Sequence, residues 1–154
     1  MKAINFFLSL LVLAISISGC SKPHIVAGEV EDINGEIIQL ADYRGKWIVI
    51  NYWASWCEPC AKEIPQLNAF YQAHQGKDAV VLGVNYDGLP MVDLKVLVKK
   101  MGINYPILTT DPKHLIGIEH VPGLPATYLI SPEGKLVKSL FGEQTLTSLE
   151  KAMR

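Results

Sequence analysis

The chain has 154 residues, of which 49% are hydrophobic and 19% charged, and 14 basic residues face 15 acidic ones for a formal net charge of −1. The length indicates one domain, and the composition excludes a disordered or collagen-like chain. A charge this close to zero provides no basic field for a polyanion, so nucleic-acid binding is not expected. Three cysteines are too few for a small fold held together by disulfides.

The first 19 residues predict a signal peptide. Lys2 gives a positive start, and the uncharged apolar run at residues 3–18 is shorter than the ~20 residues of a membrane-spanning helix. A positive start, an apolar run and small residues before a cleavage point are typical of secretion signals. A retained membrane anchor is the alternative, but Ser16, Ser18 and Gly19 dilute the apolar end and favour cleavage.

Residues 17–20 read ISGC and resemble the bacterial lipobox, whose cysteine is lipidated and becomes the mature N-terminus. The resemblance implies a lipid anchor on Cys20, with several acyl chains giving stable attachment. An exported protein with an unmodified cysteine is the alternative. In Gram-negative lipoproteins, an Asp directly after the lipidated cysteine resembles an inner-membrane retention signal. This chain has Ser21 at that position, which favours the outer membrane in a Gram-negative cell. Residues 20–27 are then a tether, and residues 28–154 form the domain in a compartment where disulfides persist.

The domain alternates strands and helices in its predicted elements. Asn34-Gly35 inside residues 29–40 predicts a β-hairpin with a two-residue turn. The apolar run at residues 47–53 predicts a buried strand. A helical stripe follows, down to about His74, and Gly76 ends it.

The second half continues the alternation. The pattern predicts a buried strand within residues 78–86, a helix at 91–101, an extended piece at 105–108, a brief helix at 112–118, strands at 126–130 and 136–141, and a closing helix at 145–153. This order predicts helices that cover a mixed sheet.

Cys57 and Cys60 are separated by two residues at the junction of a predicted strand and helix, which indicates a dithiol redox site. Unpaired N–H groups and the dipole at the helix N-terminus stabilise a thiolate at Cys57, and a thiolate attacks disulfides. Cys60 lies one turn later, close enough to resolve the mixed disulfide. Pro59 stiffens the turn between them.

Other uses of the two cysteines fit poorly. A structural zinc site needs about four ligands, but there is no second cysteine pair and the four histidines are scattered. Covalent haem attachment needs a histidine directly after the second cysteine, where this chain has Ala61. A peroxidase cysteine would stand in a different context, without the aromatic residues that precede this pair. We therefore expect neither a metal nor a cofactor.

Residues 51–65, NYWASWCEPCAKEIP, resemble the active-site segment of the membrane-anchored thioredoxin-like TlpA/ResA/CcmG group. The similarity continues through residues 83–85 and 123–130 to Gly134 and covers essentially all of the mature chain. It implies a thioredoxin fold: an α/β domain with an N-terminal β-hairpin, a mixed central sheet flanked by helices, and an inserted element that residues 87–110 match.

The resemblance also implies roles for individual residues. Pro125 resembles the cis-proline whose loop faces the cysteines, and with Leu124 it would bind substrate; a plain turn proline is the alternative. Glu63, on the same side of the helix as Cys60, resembles the acid of ResA-like reductases and would relay protons, unless it is only a solvated helix acid. Asn51 stands where thioredoxin has a buried Asp and cannot accept a proton, which favours Glu63 for that role.

Three further side chains are expected to tune the site. Trp53 and Trp56 would shield the cysteines, and a plain core residue is the alternative for Trp53. The carboxylate of Glu58 opposes formation of a thiolate at Cys57. A less stabilised thiolate form makes the disulfide harder to reduce and the couple more reducing, so Glu58 favours a reductase.

The sequence thus predicts an exported lipoprotein that acts as a thiol–disulfide oxidoreductase, mainly by reducing protein disulfides. The resemblance implies apocytochrome c as one substrate, and a general envelope reductase fits equally well. Either activity needs a membrane thiol reductant as electron donor. The alternatives are an envelope oxidase or isomerase, or a docking module without enzymatic activity, against which the intact cysteine pair argues.

Overall fold

A computed structural model describes residues 26–154, so the predicted signal peptide, Cys20 and most of the predicted tether lie outside the described residues. The elements are β1 (Glu29–Glu31), β2 (Ile37–Gln39), a short 3-10 helix (Leu40–Tyr43), β3 (Trp47–Trp53), α1 (Glu58–His74), β4 (Ala79–Asn85), α2 (Met91–Met101), β5 (Ile107–Leu108), β6 (Ala126–Ile130), β7 (Leu136–Phe141) and α3 (Leu146–Ala152).

Five strands form a mixed sheet in the order β5-β4-β3-β6-β7. β3 and β4 pair in parallel, as do β4 and β5, whereas β6 is antiparallel to both β3 and β7. The apolar runs of β3 and β4 lie at the centre, where both faces of a strand are covered. The predicted mixed sheet with helices is confirmed.

The side chains of β3 alternate between two apolar clusters, as the pleat of a strand requires. Val49 and Trp53 belong to a cluster that contains buried residues of all three α-helices. Ile50 and Tyr52 belong to a second cluster, whose other buried members come from strands, the 3-10 helix and connecting segments. The cysteine pair belongs to the first cluster.

The N-terminal hairpin is confirmed, but its predicted two-residue turn is wrong. β1 pairs antiparallel with β2, and the Asp32 N–H donates to the Glu36 carbonyl, which leaves three residues in the loop. The Asp32 carboxylate accepts the N–H groups of Asn34 and Glu36. Gly35 adopts φ 84°, the left-handed conformation that such a three-residue loop needs at its last position.

Residues 87–110 form α2 and β5, and the hairpin covers the outer edge of β5. The Ile33 N–H donates to the Ile107 carbonyl, and the Thr109 N–H donates to the Glu31 carbonyl. An uncovered edge strand would invite pairing with another chain, so the hairpin protects this side of the sheet.

The predicted brief helix at residues 112–118 is wrong. The segment forms turns, in which the Ile116 N–H donates to the Pro112 carbonyl and the Ile118 N–H donates to the Lys113 carbonyl. Gly117 adopts φ 78°, a left-handed conformation that breaks a helical run.

The first described residue is already packed against the domain. Val26 is buried, and its N–H donates to the Gly134 carbonyl at 2.7 Å. Among residues 26–154, none of the helices has the length and apolar character to cross a membrane.

Gly83 should be needed for its lack of a side chain. A Cβ at this position would collide with Ile107 Cδ1 and lie 3.0 Å from Tyr105 Cε2, within the sheet interior. We expect Gly83→Ala to lower the free energy of unfolding by about 1–3 kcal/mol in denaturant titrations, because overpacking forces neighbours to shift. Gly123→Ala is the control, since nothing lies within 4 Å of its added Cβ. Equal stability of the two variants would contradict the prediction.

Candidate active site

The cysteine pair lies where the chain passes from β3 into α1. Cys57 is the N-cap residue of α1, with extended backbone at φ −89°, and Pro59 occupies the first turn, where a missing N–H costs no helical hydrogen bond. Cys57 and Cys60 form a disulfide with an S–S distance of 2.02 Å. The pair therefore stands at the predicted helix N-terminus.

Both cysteines are buried in the disulfide form, and Cys57 is the less buried of the two. Cys57 is 5% exposed and Cys60 0%. The Cys60 N–H donates to Cys57 Sγ at 3.3 Å. The helix N-terminus therefore faces the sulfur with a donor, whereas burial removes the solvent that would stabilise a thiolate.

Glu63 is fully buried on α1, so its interpretation as a solvated helix acid is wrong. Its Oε1 accepts the Asn51 Nδ2 at 2.7 Å, and its Oε2 accepts the Gln144 N–H at 3.0 Å. Burial raises the pKa of Glu63 to about 7; the two hydrogen bonds oppose this shift, and the charge of Glu143 adds to it. A carboxyl group that titrates near neutrality suits proton exchange.

Asn51 joins three elements of the fold around this carboxylate. It is fully buried on β3, and its Nδ2 donates to Glu63 on α1 and to Thr127 Oγ1 on β6 at 3.1 Å. Sequence reasoning missed Thr127 and Gln144 as partners in the site. Thr127 lies directly opposite Asn51 in the β3–β6 register, and only the family-like segment 123–130 pointed toward it.

Pro125 lies at the same end of the sheet as the cysteines. The Leu124–Pro125 peptide bond is cis, and β6 begins at the next residue, Ala126, which pairs with Tyr52 near the end of β3. Pro125 is buried, and its carbonyl accepts the Gly142 N–H at 3.0 Å. Leu124 is half-buried and packs against the cluster that contains both cysteines.

The tuning residues are placed differently from expectation. Trp53 is fully buried and is a core residue, whereas Trp56 is 70% exposed and presents its ring to solvent. Glu58 is exposed, and its Oε1 lies 2.8 Å from Lys62 Nζ. This pairing holds the pKa of the Glu58 carboxyl below its usual range. Lys62 and solvent therefore weaken the influence that Glu58 was expected to have on Cys57.

The described part of the chain contains no group of three or more His, Cys, Asp or Glu side chains arranged to hold a metal ion. Fold and site together define a thioredoxin-fold protein with a redox-active cysteine pair at the start of a helix.

Comparison with known proteins supplies the family. Residues 24–139 match the AhpC/TSA family model. The chain is 35% identical over 127 residues to the thiol-disulfide oxidoreductase ResA of Bacillus subtilis strain 168, covering 82% of this chain and 69% of that protein. The chain therefore belongs to the AhpC/TSA family and, within it, to the ResA-like thiol–disulfide oxidoreductases. It is an enzyme of that class, and the predicted resemblance is confirmed.

Solved structures agree with this assignment. The structure of StoA from Bacillus subtilis superposes with a TM-score of 0.69 at 26% identity, covering 86% of this chain and all of that one. The pneumococcal exposed lipoprotein thioredoxin from Streptococcus pneumoniae superposes with a TM-score of 0.69 at 29% identity, covering 82% and 97%. These likenesses confirm the thioredoxin fold.

Glu63 should make stability depend on pH. Its pKa is raised from 4.5 to about 7 in the folded state, so the folded chain holds this proton more tightly than the unfolded chain. The resulting stabilisation is complete below about pH 4.5 and is lost as the pH rises through 7. Relative to Glu63→Gln, the oxidised protein should lose on the order of 3 kcal/mol of unfolding free energy between pH 4.5 and 8. Glu119→Gln, at an exposed site, should leave the wild-type pH dependence unchanged, and parallel curves for Glu63→Gln would contradict the prediction.

The Glu58–Lys62 pair should set only a small part of the redox potential. Glu58→Gln leaves the Lys62 charge unneutralised near Cys57, which favours the thiolate and a more oxidising couple. We expect a shift of less than about 30 mV in a glutathione buffer, because both groups are exposed. Lys62→Gln should shift the potential the other way, and the double variant should return close to wild type. A more reducing Glu58→Gln variant would overturn this account.

Proposed function

We propose that the chain is a lipid-anchored, extracytoplasmic enzyme whose main reaction is the reduction of disulfides in other proteins. The observation that carries the proposal is the Cys57–Cys60 disulfide at the N-terminus of α1, with the more accessible sulfur on the N-cap residue. The similarity to ResA-type oxidoreductases supports it.

The environment of the sulfurs favours the reducing direction. Both are buried, which disfavours a charged thiolate. Glu63 lies one helical turn beyond Cys60, on the same side of α1, and its negative charge acts in the same sense when it is ionised. The nearby Lys62 is paired with Glu58. A dithiol that is poorly stabilised as thiolate yields its electrons readily, since strong oxidants owe their potential to a stabilised reduced form.

The reaction exchanges one disulfide for another. In the reduced enzyme the Cys57 thiolate attacks one sulfur of the substrate disulfide, forms a mixed disulfide and releases the other substrate sulfur as a thiolate. Cys60 then loses its proton and attacks Cys57 Sγ, so the Cys57–Cys60 disulfide forms and the second substrate thiol leaves. Two electrons pass from enzyme to substrate. Glu63, with its pKa of about 7, accepts the Cys60 proton, and protons pass to the released thiolates.

Substrate backbone would bind beside the cis-proline. Pro125 has no N–H, and its carbonyl is already bonded to Gly142. Within residues 26–154, the Leu124 N–H and carbonyl make no hydrogen bond, so Leu124 supplies the groups for pairing with an extended substrate. Pro125 holds that backbone at the sheet end where the cysteines lie.

The cellular setting extends this proposal. The signal-like N-terminus and the lipobox-like Cys20 support export and lipid anchoring, and one structural relative is described as an exposed lipoprotein thioredoxin. Apocytochrome c with a disulfide between its haem-attachment cysteines is a candidate substrate, and a membrane thiol reductant would restore the dithiol. In a Gram-negative cell, Ser21 favours the outer membrane.

The redox activity can be tested by insulin reduction. The reduced wild-type protein should reduce the disulfides of insulin, and Cys57→Ser should abolish the reaction. Cys60→Ser should accumulate a mixed disulfide between Cys57 and its substrate, because the second attack is missing. Limiting iodoacetamide should label Cys57 before Cys60. A reduced protein that leaves insulin intact would refute the reductase, and preferential labelling of Cys60 would reverse the roles of the cysteines.

Anchoring can be tested separately by mass spectrometry of the protein isolated from cell envelopes. We expect Cys20 as the first residue, carrying a diacylglycerol on sulfur and an acylated amino group, because residues 17–20 match the lipobox pattern. Cys20→Ser should release the protein from the membrane fraction. An unmodified, freely soluble wild-type chain would contradict the anchor and leave the redox proposal untouched.

A further inference from the structure

The exposed apolar side chains are concentrated beside the active site. Nine large apolar residues of the described chain are prominently exposed. One of them is Trp56, next to Cys57, and five more belong to segment 86–96. Scattered exposed apolar residues are ordinary on a protein surface, but a contiguous group next to a reactive centre indicates a site of interaction.

Part of this segment surrounds a cleft. Its floor is formed by Val84, Leu94 and Leu108, which are buried, and its rim by Tyr86, Leu89 and Met91. Each of the three rim residues is 39–43% exposed. The cleft has a volume of about 250 Å³, below the ~300–1,000 Å³ of small-molecule sites. Its size and lining suit an apolar side chain rather than a cofactor.

Hydrogen bonds hold this 86–91 cleft beside the cysteine loop. The Asp87 carboxylate accepts the Ser55 N–H at 2.9 Å and the Ser55 hydroxyl at 2.8 Å. The Tyr86 N–H donates to the Trp53 carbonyl at 2.8 Å. Cys57 lies two residues beyond Ser55, and Leu89 two residues beyond Asp87, so the rim lies within about 20 Å of Cys57.

The acidic side chains at the cleft are already engaged. Asp87 binds Ser55 and also accepts the Asn85 side-chain amide. Asp111 accepts the Tyr52 hydroxyl at 2.8 Å and the Lys113 ammonium at 3.0 Å. The cleft can therefore bind an incoming polypeptide mainly through its apolar wall. Charge is excluded as the main basis of recognition.

We propose that the 86–91 cleft is a specificity site of the reductase that binds an apolar side chain of the disulfide-bearing protein substrate. The inference rests on the proposed reductase function and adds a preference to it. A span of up to about 20 Å corresponds to at most about six residues of extended chain. The recognised residue therefore stands within about six positions of the cysteine that Cys57 attacks.

Synthetic disulfide peptides test the preference. One series carries Leu at each of the first six positions on either side of the disulfide in turn, and the matched series carries Ser. For at least one position, the reduced wild-type protein should reduce the Leu peptide with a kcat/KM about tenfold above that of its Ser partner, the order of discrimination of one apolar contact. The Leu89→Ser/Met91→Ser variant should lose this preference.

Two controls separate the cleft from general effects. Val137→Ser removes an apolar residue of similar exposure on β7, at the opposite edge of the sheet, and should keep the preference. Reaction with the small disulfide of Ellman's reagent should be the same for all three proteins, which shows that fold and cysteines are intact.

The outcomes distinguish the two proposals. If the reduced wild type reduces no peptide, the reductase function itself fails. If it reduces both series equally at every position, or if the cleft variant keeps the preference, the specificity site is refuted and the reductase stands. If sedimentation shows that the cleft variant only abolishes a dimer of this chain, the cleft is a self-association surface and the proposal is overturned.

Discussion

The burial of the Glu63 carboxylate is the constraint on which the site depends. A carboxylate that is removed from water needs hydrogen-bond donors or a proton, and both solutions are present here. The Asn51 side chain and the Gln144 backbone donate to it, and burial raises its pKa to about 7. These contacts bring β3, α1 and the turn before α3 together. The Glu63 carboxylate, which is costly to bury, therefore also fixes the position of the start of α1 on the sheet.

This arrangement joins stability and chemistry in one residue. A leucine in place of Glu63 would satisfy the apolar core without the desolvation cost, but it could not perform the proposed proton exchange with Cys60. The cost of burying this acid is consistent with that proposed role. The exposed Glu58 is paired with Lys62 and screened by solvent, so we propose that the buried acid, rather than the exposed one, acts on the dithiol.

The reactive end of the molecule is assembled from three loops at one end of the sheet, where β3 and β4 end and β6 begins. The start of α1 supplies the sulfurs, the segment before β6 supplies the cis-proline and the free Leu124 backbone, and the segment after β4 supplies the apolar cleft. Parallel pairing of β3 with β4 and antiparallel pairing of β3 with β6 bring these loops together. In the proposed division of work, the helix start does the chemistry, and the two flanking loops recognise the polypeptide that carries the disulfide.

The sequence by itself determined the cysteine pair, the strand and helix around it and a mixed sheet covered by helices, because local spacing and apolar periodicity specify them directly. The thioredoxin-like architecture was implied by the resemblance to a known family. The sequence also pointed to Glu63 and Pro125, through the resemblance of their segments to that family. Only the tertiary structure decided that Glu63 is buried, that Thr127 and Gln144 complete its surroundings, and that Glu58 is neutralised by Lys62. Those facts depend on contacts between residues far apart in the chain or on solvent exposure, which local patterns do not encode. The errors at the hairpin turn and at residues 112–118 have the same origin. The conformation of the hairpin turn depends on the Asp32 side chain, and that of residues 112–118 depends on the backbone of Gly117. Neither dipeptide signals nor helical spacing specify these contributions.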